Sequence, residues 1–420
     1  MSIIRIIAKR MTKHPQVKRK LKNMYAYLGN ILSDKKSDIP GLVQVSSNKI
    51  SHNFGYYDKC PWSKDQHYMV YTGITDATHN YVTDKPTPII LYDCISKTET
   101  VLAYTHVWNS QQGCMLQWLG PDFSKKIIFN DFRDGKYCSV ILNIEDKTEK
   151  VLKTPVYSVS SDGKTAITLD FSRLNSFGIG YGYCNVPDYT KDKKCPDIPC
   201  MWKIDIEKDF VEELPFSYKS LSEFGFQDSM KDGYHKINHI MLNPAGNRFM
   251  FIHRWIVNGV KHHRLLTCNI DGSDLYILLD HGMVSHNNWK DDKTIISFCD
   301  TQEEGEAYHI LYDKTQKRET IGKGILNVDG HPSYSPDGRY IITDTYPDFK
   351  RKQTLYLIRV ADSTVIKLGS IYSSIKYKNE FRCDLHPRWN YNSKEICIDG
   401  AIGDKRQVFL VKISEKVLSD

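Results

Sequence analysis

Seven times along the chain a short polar turn is followed at once by a β run. The turns are "WSKDQHY" at 62, "GPDFSKK" at 120, "SSDGKTA" at 160, "NPAGNRF" at 243, "WKDDKTI" at 289, "SPDGRYI" at 335 and "NYNSKEI" at 390. After each β run comes a second turn and a further strand, as in "LLTCNIDGSDL", "LYLIRVADSTV" and "VFLVKISEKV". A unit of four short strands at a period of roughly 45–55 residues cannot bury both of its faces alone; it is stable only when stacked against copies of itself. Seven turns therefore predict an all-β, seven-bladed β-propeller over residues 45–418. The long gap between the turns at 160 and 243 is read as an insertion at about 174–234 in blade three.

Residues 1–40 do not share this pattern. From Pro15 onward Val17, Leu21, Met24, Tyr25, Leu28, Ile31 and Leu32 follow the three–four spacing of one helical face. Ile3, Ile4, Ile6 and Ile7 beside Arg5, Lys9 and Arg10 suggest a second short helix. Residues 1–36 hold ten Lys/Arg and one Asp, whereas the remainder holds 47 basic and 49 acidic residues. The net +7 thus resides in a basic amphipathic helical arm, and the body is nearly neutral. Such an arm either packs on its own domain with the basic side solvated, or makes a peripheral membrane or protein contact. A neutral body argues against nucleic-acid binding.

No stretch reaches the roughly 20 apolar residues of a membrane-spanning helix. The isoleucines near residue 1 are interleaved with charges, unlike a secretory leader, so the expected location is cytoplasmic or peripheral to the inner membrane face. The cysteines, 11 in number and mostly single within β runs, read as reduced buried thiols. Cys195 and Cys200 in "KKCPDIPC" form a lone pair without the second pair a zinc site needs.

Four successive units carry a histidine three residues before the apolar or aromatic residue that precedes the turn: "HIML" (His239), "HNNW" (His286), "HPSY" (His331) and "HPRW" (His386). A single such histidine is usually a hydrogen-bonded part of its blade. Four in register would converge at one mouth of the central axis, where neutral imidazoles on rigid strands suit a divalent transition metal. Asp329 and Asp384, each two residues ahead of a histidine, would add an oxygen ligand or orient a ring. In blade three Tyr157 stands where the inner strand begins, and Arg173 is expected at the end of the next strand. If they meet, the guanidinium would lower the phenol pKa and clamp a carboxylate. His52, His106, Gln111 and Gln112 place polar groups where blades one and two begin, and Arg382 and Arg388 flank His386 as carboxylate contacts.

The motifs "QQGCMLQW", "YSVSSDGKTAITLDFSRL…GYGY", "NHIMLNPAGNRFMFIHRW", "DHGMVSHNNW", "DGHPSYSPDGRYIITDTYPD" and "FRCDLHPRW" together resemble the seven-bladed propeller polysaccharide lyases of the oligogalacturonate-lyase-like and ulvan-lyase-like groups. The resemblance covers about residues 45–415. It implies β-elimination at a uronic acid, with Tyr157 as base and acid, Arg173 neutralising the carboxylate, and His106 and His239 assisting. It also implies a metal (Mn, Zn or Ca) at His286 and His386, to which the register of the repeats adds His331, although this chain carries Phe381 and Asp384 where the oligogalacturonate lyases have further ligands. Substrate contacts would come from His52, Gln111, Gln112, Arg382 and Arg388, and the partner would be an acidic oligosaccharide. The competing expectation is a non-catalytic glycan-binding or scaffold propeller in surface-polysaccharide biosynthesis. A glycosidase or esterase lacks its paired carboxylates or nucleophilic serine.

Overall fold

The computed structural model describes residues 15–74, 86–178 and 180–419; the segment with Ile3, Ile4, Ile6 and Ile7 lies outside them. Among the described residues the strands form seven four-stranded antiparallel sheets. Six sheets are consecutive in sequence. In the seventh, Leu42–Gln44 pairs with Gln407–Lys412 as the outermost strand, so the beginning of the propeller closes the ring at its end. This closing strand precedes the expected boundary at residue 45 and has too little pattern to be seen in the sequence.

The recurring turns share one chemistry. In blades one, three and six, Ser63, Ser160 and Ser335 donate their hydroxyls to Asp65, Asp162 and Asp337 at 2.5–2.6 Å. The same hydroxyls accept the backbone N–H of Tyr68, Thr165 and Tyr340, the first residues of the following strands. Asn243 and Asn390 replace this pair in blades four and seven, their side-chain oxygens accepting from Arg248 and Glu395. Ser, Asp and Asn favour such turns because their short side chains replace a backbone acceptor. The φ of +72° at Gly163 and +70° at Gly338 explains the glycine of the "SDG" and "PDG" turns.

The aromatic residue before the turn holds neighbouring blades in register. Trp118 of blade two donates its indole N–H to Pro61 O of blade one. Trp289 of blade five donates to Met241 O of blade four, and Trp389 of blade seven to Ser333 O of blade six. Each indole thus buries a large apolar surface and satisfies its one donor across a seam. Because the histidines lie three residues ahead, the same pinning fixes where each imidazole starts.

Two expectations are corrected here. Residues 174–234 are not one insertion, since they enclose two strands of blade three, Met201–Asp205 and Phe210–Glu213. The additions flank those strands, and helix α2 (Phe171–Ser176) begins the first, capped by Asp170, which accepts from Ser172 N and Arg173 N. Helix α1 (Pro15–Ile31) does rest on the propeller, but with its smaller face. Tyr25 packs against Phe349 with ring centroids 4.6 Å apart, and Asn30 accepts from Tyr372. At Gly29 an added Cβ would fall 1.5 Å from Phe349 O, so only glycine permits this approach.

Candidate functional site

The innermost strands of blades four to seven bring the four histidines side by side at one mouth. Ring centroids are 5.5 Å apart for His239 and His286, 4.1 Å for His286 and His331, and 4.3 Å for His331 and His386. All four are buried. The strand pairing slips around two of them, between Asn238 and Met241 and between Val284 and Asn287. Such a bulge turns a side chain away from its ordinary alternation. Tyrosines brace the irregular backbone: Tyr157 Oη accepts from His239 N at 3.0 Å, and Tyr57 Oη accepts from Asn287 N at 2.9 Å and donates to Asn287 O at 2.7 Å. His239 and His386 have left-handed backbone, φ +55° and +45°, but so does Met115 at the corresponding place in blade two (φ +57°). The conformation therefore belongs to the fold, and only the side chain is special to the mouth.

Asp344 organises two of the imidazoles. It accepts from His331 Nδ1 at 2.8 Å and from the backbone N–H of His331, Leu385 and His386. With Nδ1 donating, the lone pair of His331 lies on Nε2, the tautomer a metal requires. His331 Nε2 and His386 Nε2 are buried and have no hydrogen-bond partner. His331, His386 and Asp384 each offer a ligand atom, and these atoms all lie within 4.8 Å of one another. Two orphaned nitrogens and a carboxylate fit a divalent cation well, since buried polar atoms are otherwise satisfied. Arg382 grips both oxygens of Asp384 and stacks its guanidinium 4.1 Å from the Tyr346 ring. His286 is not part of this set, and its Nδ1 lies 3.1 Å from Asp329.

The electrostatics differ along the row. Burial, reinforced by the charge of Arg254, pushes His239 well below the usual histidine value, and burial beside His331 does the same for His386. At His331 burial pulls downward, but Asp344 prevails and the value is raised. Tyr56 lies across the mouth with its hydroxyl 2.6 Å from His239 Nδ1 and its ring 5.1 Å from that of His386. Tyr181 completes this end, 5.9 Å from His239.

Blade four adds positive charge that no motif announced. Lys236, Arg254 and His263 stand directly opposite one another on three adjacent strands. Lys236 is buried with its Nζ donating to Phe177 O, and Arg254 Nε is buried without a partner. Burial, followed by the charges of Arg254 and Lys261, pushes the Lys236 ammonium well below its usual value. No carboxylate pairs with Lys236 or Arg254 among the described residues. A buried lysine beside a half-buried arginine, without a counter-ion, is costly and would be relieved by a bound anion.

Several residues expected at the site are elsewhere employed. Arg173 does not meet Tyr157. It lies in α2, fully buried, donating to the carbonyls of His235, Thr190, Lys193 and Lys194 and stacked between Phe177 and Tyr218. Tyr157 is likewise buried, and its oxygen receives hydrogen bonds from Gln112 Nε2 and His239 N, while burial raises its pKa. The expected acidified phenol is not formed, because Arg173 is held elsewhere and burial prevails. Arg388 pairs with Asp399 at 2.6 Å and donates to Gly55 O and Tyr56 O, so it fixes the turn carrying Tyr56 rather than contacting substrate. His52 is sealed between blades seven and one, bonded to Gln407 and 5.6 Å from the Tyr71 ring. His106 is half-exposed and pairs with Asp131, with no contact to Tyr157 or His239 found among the described residues. Gln111 donates to Arg382 O, placing it at the rim.

Cys195 and Cys200 donate separately to Ser222 and Phe216 O and form no metal cluster with other described residues. A cavity of about 310 Å³ lined by Trp118, Met241, Asn243, Trp289 and Tyr391 opens at the opposite end of the inner strands and contains none of the histidines.

No family model matches this sequence, and no curated protein matches it by sequence. Solved structures do match. An oligogalacturonate lyase in complex with manganese superposes with a TM-score of 0.67 at 15% identity, covering 92% of this chain and 96% of that one. An oligogalacturonate lyase from Vibrio parahaemolyticus gives 0.64 at 12% identity, covering 91% and 97%. A Kuenenia stuttgartiensis hydrazine synthase chain gives 0.51 at 9%, covering 88% and 97%. At such identities the similarity speaks for the architecture: this chain resembles the oligogalacturonate lyases as a seven-bladed β-propeller.

Proposed function

We propose that the protein is a lyase-like propeller that receives a uronate-containing oligosaccharide at the histidine mouth and cleaves it by β-elimination. The observation that carries this reading is the presence, in one mouth, of two orphaned imidazole nitrogens beside a carboxylate and of an uncompensated Lys–Arg pair. The likeness to an oligogalacturonate lyase holding manganese supports it.

His331, His386 and Asp384 would hold a divalent cation, and their nitrogen-rich set suits Mn or Zn better than Ca. Such a cation, when bound, supplies a Lewis acid that neutralises the substrate carboxylate and acidifies the adjacent C–H. Asp344 keeps the His331 lone pair on Nε2. Arg254, with a free Nε, and Lys236 take a carboxylate of the glycan chain. His239 is the base: it is neutral at neutral pH, and with Nδ1–H donated to the Tyr56 oxygen its Nε2 lone pair accepts the C5 proton. The C5–H electron pair becomes the C4–C5 double bond as the C4–O4 bond breaks. O4 departs with that bonding pair and takes a proton from the Tyr181 hydroxyl.

The test is ultraviolet absorbance for the unsaturated uronate, over a panel of uronic-acid oligosaccharides with and without Mn²⁺, Zn²⁺ or Ca²⁺. Signal that requires His239 and a cation supports the proposal. A second reading, a non-catalytic glycan-binding or scaffold propeller, is favoured by the nearly complete burial of Tyr56, Tyr57 and the four histidines. Sugar binding without absorbance change across the panel would establish that reading instead.

A further inference from the structure

The periodicity of helix α1 defines an apolar stripe, and the structure leaves that stripe facing outward. Val17, Leu21, Met24, Leu28, Ile31 and Leu32 are 41–63% exposed, although an apolar helix face ordinarily lies against its own core. Contact is made by the flank beside the stripe, through Tyr25 at its edge on Phe349, Gly29 against the Phe349 backbone and Asn30 with Tyr372. Asn379 adds a contact with Asn23. Rolling the helix to bury the stripe would break all four.

The contacted loops are those of the mouth. Phe349 follows Asp344 and Tyr346 on one connection, and Asn379 precedes Arg382, Asp384 and His386 on the next. The stripe therefore stands on the same rim as the histidines.

Charge identifies what covers it. Lys20 and Lys22 project exposed from the same helix, and residues 1–36 carry nine net positive charges against two net negative ones in the rest of the chain. Two copies meeting stripe to stripe would bring two such arms together, which self-repulsion opposes. We infer that α1 docks the protein on an anionic lipid bilayer, its stripe among the acyl chains and its lysines at the headgroups, holding the histidine mouth beside the membrane. Each basic side chain at an anionic surface contributes roughly fivefold to partitioning.

The experiment is flotation of the full chain with vesicles of phosphatidylcholine alone, or with a third phosphatidylglycerol. Co-flotation with the anionic vesicles only, weakened by salt, is expected. In the double variant Leu21→Asp/Leu28→Asp it should fall at least tenfold with the thermal midpoint unchanged, because neither side chain is in the core. Lys20→Glu/Lys22→Glu keeps the stripe intact and should also weaken binding roughly tenfold or more. Failure to float with either vesicle overturns the inference and leaves the stripe covered by the chain itself. Equal flotation with neutral vesicles, or a dimer in light scattering that Leu21→Asp/Leu28→Asp dissociates, overturns it in favour of a purely apolar or a self-association surface.

Discussion

Blades four to seven and blades one to three are built alike and used differently. Three residues ahead of the position that precedes the turn, the late blades place His239, His286, His331 and His386, while the early ones place Lys59, Met115 and Val156. Backbone geometry does not separate the halves, since Met115 is left-handed just as His239 and His386 are. The difference lies in what each side chain meets. Met115 and Val156 are sealed in the core and Lys59 pairs with Asp58 at 2.7 Å, whereas His331 and His386 keep an unpartnered nitrogen in a common space. A repeat fold can thus keep its packing rules on every blade and spend only one position per blade on chemistry.

The comparison breaks most visibly at the seam between the halves. Arg388→Ala removes the partner of buried Asp399 and the donor to Gly55 and Tyr56; a loss of about 3–5 kcal/mol is expected in chemical denaturation. A variant within 1 kcal/mol of the parent would show that the seam does not depend on this pair. Arg173→Ala should cost nearly as much stability, because a fully buried guanidinium and its bonds to four carbonyls are lost, whereas the partly exposed Arg254 should affect glycan binding instead. Measuring denaturation and sugar titration on both variants sharpens the contrast; equal losses of stability would dissolve it.

Acid provides the next largest effect. Burial pushes His235 down to about 4 and His263 to about 2, with unfolded values near 6.5. Between those limits the unfolded chain binds more protons, so stability falls as the pH drops below about 6.5. The loss through His235 alone approaches roughly 3 kcal/mol by pH 4. Replacing His235 with Gln should flatten that part of the pH profile; an unchanged slope would place the acid sensitivity elsewhere.

At the mouth itself, Asp344→Ala removes the acceptor that sets the His331 tautomer. Manganese affinity by calorimetry should fall 10- to 100-fold, in the range expected for partners that orient ligands. The smallest effect is expected at His106→Ala, a half-exposed contact with Asp131 worth no more than about 1 kcal/mol, with no change in metal binding. A loss of manganese binding there would return His106 to the site.

The blades were readable because their signals are local: a Ser–Asp or Asn turn acts within a few positions, and the apolar or aromatic residue keeps a fixed offset of three from the histidine. The histidine row was readable because it repeats with the blades. Arg173 misled because its spacing from Tyr157 is local, while its acceptors come from residues 190–194 and 235. The Lys236–Arg254–His263 ladder was invisible because its members are neighbours across strands, at separations set by hairpin length rather than by any motif. Asp344 had a signal that went unused. An aspartate ends the second strand region of blades two, three, six and seven, as Asp131, Asp170, Asp344 and Asp399, and each accepts nearby backbone N–H groups. The arm's periodicity correctly located an apolar face but carried no information on which side the propeller would take.

The closing strand has a consequence for how the molecule comes into being. Leu42–Gln44 is made long before its partner at Phe409–Val411. Until then the ring is open, and Gln407–Lys412 in a stalled or trimmed chain would offer a bare hydrogen-bonding edge to any neighbouring strand. Closure is also the junction to the arm, tied beside it by Asp38 N to Ser370 O. A pull on the arm would thus load this tie first and then, in shear, the three paired residues that latch the ring.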